Sequence, residues 1–138
     1  MGFAEMFRVL EPPSEERRAT EDTIREIVIR KAIGQGADTW CLGDSVSDGV
    51  FERLKDVKVT RSYAECRIAG SQVGSPPDVI NWRHRSLDVR GIDWLSATRV
   101  HAETSACFDY IPCSLTMYEL ERRGGQWIIL SEYRPPAI

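Results

Sequence analysis

The sequence contains two histidines, and one of them follows a tryptophan in a segment with the alternation of a strand. His84 shares its parity with Ile80 and Trp82, so a strand here directs the three side chains to one face. An imidazole within an aromatic cavity can titrate near neutral pH and serve as an acid or a base. His84 is therefore a candidate catalytic residue. The alternative is a core histidine whose ring is bonded to a hydroxyl or a backbone group.

Tyr118 is the second candidate catalytic residue, because a buried phenol can polarise a carbonyl or stabilise an enolate. The alternative is a tyrosine that packs in the core with its hydroxyl bonded. The other candidate site residues are aromatic side chains that could wall a cavity for a flat ligand. These predicted ligand-binding residues are Trp40, Tyr63, Trp82 and Tyr133.

The four cysteines, at positions 41, 66, 107 and 113, show neither CxxC spacing nor a nearby pair of histidines. We therefore predict no metal site and no cofactor, and we expect buried, reduced thiols in a cytoplasmic protein. His101 has the opposite parity to its apolar neighbours Val100 and Ala102, which is typical of a solvated surface histidine.

Residues 42–49 resemble the GDS block of the GDSL esterases, in which the serine, here Ser45, is the nucleophile. Those enzymes also need a late Asp-x-x-His. Asn81 and Thr98 stand three residues before the two histidines of this chain. A serine esterase that uses Ser45 is therefore only a remote alternative.

The charge pattern argues against nucleic acid as a partner. The 18 basic and 21 acidic residues give a net charge of −3, and the two signs are interleaved rather than gathered into a basic stripe. No stretch approaches the roughly 18 apolar residues that span a bilayer, so we also predict no membrane partner.

Proline pairs and periodicity divide the chain into an N-terminal arm over 1–13, one α+β domain over 14–134 and a tail over 135–138. Ile24, Ile27, Val28 and Ala32 recur at helical spacing, and this apolar face continues to Trp40 and Cys41. Gly43 then ends the helix, and Ser47 is the predicted N-cap of a short second helix.

The remainder alternates like strands and predicts a strongly curved antiparallel sheet of about five strands, packed against the N-terminal helices. Gly124 and Gly125 predict a tight hairpin turn, because paired glycines accept the positive φ of a type I′ turn. The predicted strands lie at 57–60, 80–89, 95–110, 115–122 and 127–133.

This turn sets the pairing of the closing hairpin. We expect Trp127 opposite Arg122, Ile129 opposite Leu120, Ser131 opposite Tyr118 and Tyr133 opposite Thr116. Both tyrosines then face inward. The opposite, outward face is unusually apolar, which favours a homodimer through it, the alternative being scattered exposed side chains on a monomer. Its apolar residues are Leu115, Met117, Ile128 and Leu130.

The hairpin over 118–130 resembles the closing hairpin of the nuclear-transport-factor-2-like superfamily, which includes SnoaL-like polyketide cyclases and ketosteroid isomerase. The shared pattern is an aromatic strand, a charged turn with glycine, and a tryptophan followed by apolar residues. The resemblance implies a cone-shaped, cystatin-like fold. The segment 59–63 lacks the general-base aspartate of the isomerase branch, so that mechanism is not carried over.

Together these features predict a domain with an internal cavity for a small apolar organic molecule. One hypothesis is an isomerase, dehydratase or cyclase that uses acid–base chemistry without a cofactor, with His84 and Tyr118 as the pair. The other is a non-catalytic module that binds a ligand or assembles through its outer sheet face. Opposed pKa shifts in the cavity would favour the enzyme.

Overall fold

The computed structural model describes residues 14–34, 39–43, 45–61, 66–69, 80–82, 85–108 and 111–135. Side chains are described for most of these residues, and the exceptions include all of the third and fourth strands. The two helices are α1 (Ser14–Ile33) and α2 (Asp48–Arg53). The strands are β1 (Trp40–Leu42), β2 (Val59–Thr60), β3 (Arg67–Ala69), β4 (Ile80–Trp82), β5 (Arg85–Ser96), β6 (Arg99–Phe108), β7 (Ile111–Arg123) and β8 (Gln126–Tyr133).

The main sheet has six strands in the order β2-β1-β5-β6-β7-β8, and β3 pairs with β4 in a separate antiparallel pair. Strands β5 to β8 form the predicted antiparallel meander. Strand β1 lies parallel to both β2 and β5, so the sheet is mixed rather than antiparallel throughout. The α+β class is confirmed, with one more strand in the main sheet than expected.

The strand β1 replaces a segment that the periodicity assigned to helix. Helix α1 ends at Ile33, and Gly34 follows with a φ of 63°, in the left-handed region that favours glycine. The three residues of β1 are all buried. A short run of buried apolar residues has no period of its own, so the sequence could not distinguish a strand from a further helical turn.

Helix α1 packs on strands β5 and β6, and we call the sheet face beneath it the inner face and the opposite face the outer face. The helix buries Ile24, Val28, Ile29 and Ile33, close to the predicted apolar face. Ser47 caps α2 as expected, since its side chain accepts a hydrogen bond from the Val50 backbone N–H. Neither helix in the described parts of the chain is long and apolar enough to cross a membrane.

The central strands alternate between buried and more exposed positions. Leu87 and Val89 on β5 and Val100 and Ala102 on β6 are buried. A register shift between Val89 and Gly91 inserts one residue into β5, so the inward alternation resumes at Ile92. The core therefore occupies the space between α1, α2 and the inner face.

The closing hairpin departs from the predicted register after Ile129. Gly124 and Gly125 have φ values of 57° and 80°, as a tight turn with two positive φ angles requires. Trp127 lies opposite Arg122 and Ile129 opposite Leu120, both as predicted. Beyond them an extra residue, Leu130, shifts the pairing, so Ser131 lies opposite Glu119 and Tyr133 opposite Met117.

This bulge makes the predicted inward position of Tyr133 wrong. One inserted residue moves every later side chain of a strand to the other face. Tyr133 accordingly lies on the outer face with 59% of its surface exposed. Tyr118 stays on the inner face, 2% exposed.

The cysteines are paired, so the prediction of reduced thiols is wrong. Cys41 in β1 bonds to Cys66, and Cys107 in β6 bonds to Cys113 in β7. The Cα–Cα separations are 5.8 Å and 4.2 Å. The strands that bring each pair together are distant or reversed in the chain, and spacing alone could not show which cysteines meet.

Candidate functional site

A cavity of about 440 Å³ opens between the end of α1 and the inner face of the sheet. One wall is apolar and comes from α1, β1 and β6. The other carries hydroxyl and guanidinium groups from β5 to β7 and from the residue after β8. The described residues that line it are Ala32, Ile33, Trp40, Arg85, Thr104, Ala106, Cys107, Ser114, Thr116, Tyr118 and Arg134.

Tyr118 supplies a buried phenol to this cavity, with 2% of its surface exposed. Burial raises the pKa of its phenol, while hydrogen bonding with the Thr104 and Thr116 hydroxyls acts in the opposite direction. The net effect is a pKa above the ordinary value, so Tyr118 is neutral at physiological pH and can donate a hydrogen bond. The group is therefore suited to act as a donor or an acid, not as a base.

The two threonines stand at inward-facing positions of their strands, Thr104 on β6 and Thr116 on β7. Thr104 lies directly opposite Thr116 across the strand pair, and both are buried. The Thr104 hydroxyl lies 3.5 Å from the Thr116 carbonyl oxygen, a long hydrogen bond. Two hydroxyls and a phenol thus form a polar strip within an otherwise apolar interior.

Two exposed arginines stand at the rim of the cavity. Arg85 pairs with Trp40 across the parallel strands, and its guanidinium carbon lies 5.6 Å from the centroid of the Trp40 ring, a cation–π geometry. Arg134 follows β8 and contributes positive charge near Tyr118, which it influences in opposition to Glu132. The rim can therefore attract an anionic group toward the phenol.

The structure brings together two of the predicted site residues, Trp40 and Tyr118, in this one cavity. Tyr133 instead lines a shallow depression on the outer face with His101 and Met117. The predictions for Tyr63 and His84 lie outside the described residues, and for Trp82 only the backbone is described.

Ser45 lies next to a second cavity on the outer face, which its hydrogen-bond partner Asp88 lines. It donates a hydrogen bond to the Asp88 carboxylate, beside Gly43. A serine hydrolase places an imidazole between the serine and the carboxylate. The described histidine, His101, pairs with Glu119 instead, at 3.0 Å between Nε2 and Oε1. This geometry anchors the turn after β1 and gives the esterase alternative no support.

Nine of the eleven lining residues were not predicted as site residues, and four of these nine supply the polar groups on which the chemistry of the site depends: Thr104, Thr116, Arg85 and Arg134. The two threonines share the inward parity of Val100 and Ala102, and that signal could have found them. The arginines owe their place to the parallel pairing of β1 and to the bulge in β8, which the local pattern does not encode. Within the described part of the chain, no cluster of three His, Cys, Asp or Glu side chains could hold a metal ion.

Comparison of the chain with family models, with curated proteins and with solved structures found no match. The likeness of the closing hairpin to the nuclear-transport-factor-2-like superfamily therefore stays a resemblance, and the function must be argued from the site itself.

Proposed function

We propose that this protein is a small-molecule-binding domain whose inner cavity takes a small organic acid with an apolar body. The observation that carries the proposal is the arrangement within one cavity of a neutral phenol, two rim guanidinium groups and an indole wall. A volume of about 440 Å³ falls in the range of small-molecule sites, roughly 300–1,000 Å³.

The lining decides the class of ligand. Guanidinium groups pair with carboxylates through charge-assisted hydrogen bonds, which are stronger than neutral ones. Trp40 and Ile33 offer apolar surface to a ring or an aliphatic chain. Tyr118 and the two threonines can bond a carbonyl or hydroxyl of the bound molecule further inside. The ligand predicted from the sequence, a small, largely apolar organic molecule, is thereby specified as an acid with an apolar body.

Catalysis is an extension of this proposal. Tyr118, neutral and buried, is able to donate a hydrogen bond to an oxygen on which charge develops, as in an isomerase or a dehydratase. Such chemistry also needs a base, and His84 is the residue predicted for that role. A binding domain needs only the groups already described, so binding is the function that we favour.

Binding is tested with a panel of aromatic and aliphatic carboxylates, each paired with its neutral amide, by NMR titration of the labelled protein. We expect the acids to bind and the amides to bind about tenfold more weakly or not at all, the typical loss of a charged hydrogen bond. Arg134→Gln and Tyr118→Phe should each weaken binding. Arg122→Gln and Tyr133→Phe replace the same residue types outside the cavity and should not.

Equal affinity for acids and amides would contradict the acidic class. Shifts confined to residues away from the cavity would contradict the site. A panel without any binder, tested to millimolar concentration, would contradict the proposed function.

Assembly is a second proposal for the same domain. The outer face carries partly exposed apolar side chains on two neighbouring strands, with Met117 36% exposed. Met117 lies opposite Tyr133 with Leu115 beyond it, whereas Ile128 lies opposite Glu121 nearer the turn and Leu130 stands at the bulge between them. Together we call these four residues the apolar patch. Burial of such a patch by a second copy would stabilise a homodimer.

The disulfides remove the reason for which a cytoplasmic location was predicted. A cytoplasmic location rested on reduced cysteines, and disulfides persist mainly in oxidising compartments. That location stays a prediction without support from the cysteines.

A further inference from the structure

The two disulfides meet the same face of the sheet in neighbouring positions. Cys41 in β1 lies beside Ser86 in β5, and Ser86 lies beside Cys107 in β6. Cys41, Cys66 and Cys107 all line the second cavity, which has a volume of about 380 Å³. The outer face therefore holds a row of two disulfides separated by one serine.

The two bonds differ sharply in their exposure. Cys41 is 2% and Cys66 4% exposed, so that disulfide offers very little surface to an attacking thiol in the folded state. Cys113 is exposed and Cys107 is half-buried. Thiol–disulfide exchange requires the attacking thiolate to reach a sulfur atom. The difference in exposure therefore predicts a faster reaction at Cys107–Cys113 than at Cys41–Cys66.

A hydroxyl also stands next to the more accessible bond. The Oγ atom of Ser105 lies 3.7 Å from the Sγ atom of Cys107, within the range of a hydrogen bond to sulfur. A donor at this position can stabilise negative charge on Cys107 when the disulfide opens.

The charges of the cavity that Cys107 lines are mixed. Arg61 and Arg90 contribute positive charge, which favours a thiolate over a thiol. Arg61 is engaged by Asp48, at 2.6 Å between Nη1 and Oδ1. Asp88 contributes the opposing negative charge and accepts a hydrogen bond from Ser45. The features that favour reaction at Cys107–Cys113 are therefore the exposure of Cys113 and the Ser105 hydroxyl, and not the net charge of the cavity.

We propose that the Cys107–Cys113 disulfide is a site of covalent modification by low-molecular-weight thiols, whereas Cys41–Cys66 is a structural bond that such thiols do not reach. Cys107 also lines the inner cavity, but the inference requires no ligand there.

The reaction proceeds in two exchanges. A thiolate attacks the Sγ atom of Cys113 and forms a mixed disulfide with it. The Cys107–Cys113 bond breaks, and its electron pair stays on the Cys107 sulfur. The Ser105 hydroxyl donates a hydrogen bond to that sulfur. The Cys107 thiolate then takes a proton from water. A second thiolate attacks the external sulfur of the mixed disulfide and releases the small-molecule disulfide and the Cys113 thiolate, which takes a proton from water. Two thiols are oxidised to one disulfide, and one protein disulfide is reduced to two thiols.

The test uses the folded, full chain and reduced glutathione, a cysteine-containing tripeptide. After timed incubation the free thiols are alkylated at low pH with a maleimide, and peptides are assigned by mass spectrometry. We expect glutathione on Cys113 and alkylation of Cys107, at least about tenfold faster than any modification of Cys41 or Cys66. In guanidinium chloride both pairs should react, which controls for the reactivity of each peptide.

Ser105→Ala should slow the first exchange several-fold and leave the unfolded chain unaffected. Ser114→Ala is the control, because the Ser114 hydroxyl donates to the Ala106 carbonyl oxygen at 3.4 Å, and it should not slow the exchange. Equal rates for the two disulfides in the folded chain would overturn the proposal. So would reaction of neither pair before unfolding. Glutathione found on Cys107 rather than Cys113 would overturn the direction of attack.

Discussion

Tyr118 shows how one side chain acquires its chemistry from its surroundings. Its strand places it on the inner face, 2% exposed, and burial raises the pKa of the phenol because the charged form loses its hydration. Tyr133 is the same residue type 15 positions later, on the exposed outer face. The two tyrosines form a matched pair for titration.

We expect Tyr118 to ionise at a higher pH than an ordinary tyrosine, whose pKa is about 10. Ultraviolet titration of the phenols should show a late transition that Tyr118→Phe removes and Tyr133→Phe retains. Because the folded-state pKa is raised, the stability that this group contributes is complete below the unfolded pKa of about 10 and is lost as the pH rises through the folded value. A late transition that survives Tyr118→Phe would contradict this assignment.

Gly43 is required where the chain leaves β1. A Cβ atom built on Gly43 would lie 2.6 Å from Cγ of Asp88, closer than real Cβ atoms come to a neighbour, and 3.0 Å from its Cβ, tighter than most real contacts. The Asp88 carboxylate accepts a hydrogen bond from Ser45 at this point and cannot move without loosening the turn.

Gly43→Ala should therefore lower the free energy of unfolding by about 1–3 kcal/mol, the usual cost of overpacking. Gly91→Ala is the matched control, because a Cβ atom there meets nothing within 4 Å, and the change should be within about 0.5 kcal/mol. Urea denaturation of the three proteins measures both. Equal free energies of unfolding for the two variants would show that the Asp88 side chain can move away from an added Cβ atom without destabilising the fold.

At the scale of elements, Arg30 connects α1 to the turn after α2. Its guanidinium donates to both carboxylate oxygens of Asp56, at 2.8 Å and 2.9 Å, and to the Arg53 carbonyl oxygen at 2.8 Å. These bonds lower the pKa of Asp56 and raise that of Arg30. The contact is exposed, so water and salt screen it.

Asp56→Asn should lower the urea midpoint slightly at neutral pH, and the difference from the wild type should shrink at high salt. Because the folded-state pKa of Asp56 is lowered, its contribution is present above the unfolded pKa of about 3.9 and is lost as the pH falls through the folded value. The two proteins should then converge in acid. Asp93→Asn, on the exposed edge of β5, is the control. A difference that persists in acid would argue against the ion pair.

At the scale of the whole molecule, the described residues pack one face of the sheet against the helices and leave apolar side chains partly exposed on the other. The apolar patch lies on β7 and β8, where no helix of the described chain covers it. If a second copy covers it, Leu130→Lys should shift the sedimentation profile toward the monomer, because a buried charge without a partner is costly.

Leu95→Lys changes another exposed leucine, 43% exposed, on β5 and outside the patch, and should leave the profile unchanged. A wild-type protein that already sediments as a monomer at micromolar concentration would contradict the homodimer. An equal effect of both variants would point to solubility rather than to an interface.

The sequence alone determined the elements whose signals are local. The switch from helical to alternating periodicity, the Ser47 cap and the paired glycines at 124–125 each depend on residues within a few positions of one another. For this reason the antiparallel meander, the α+β class and the inward positions of Tyr118 and Leu120 followed from the pattern.

Tertiary structure decided what depends on residues distant in the chain. Trp40 belongs to a strand because β2 and β5 offer it backbone partners, and the residues alone fit a helix equally well. The bulge at Leu130 moved Tyr133 to the outer face, since one inserted residue reverses every later side chain. The cysteine pairs and the arginines at the cavity rim have the same origin. The pairing of strands depends on contacts between residues far apart in the sequence, and this pairing determines both the residues that line the cavity and the cysteines that bond to each other.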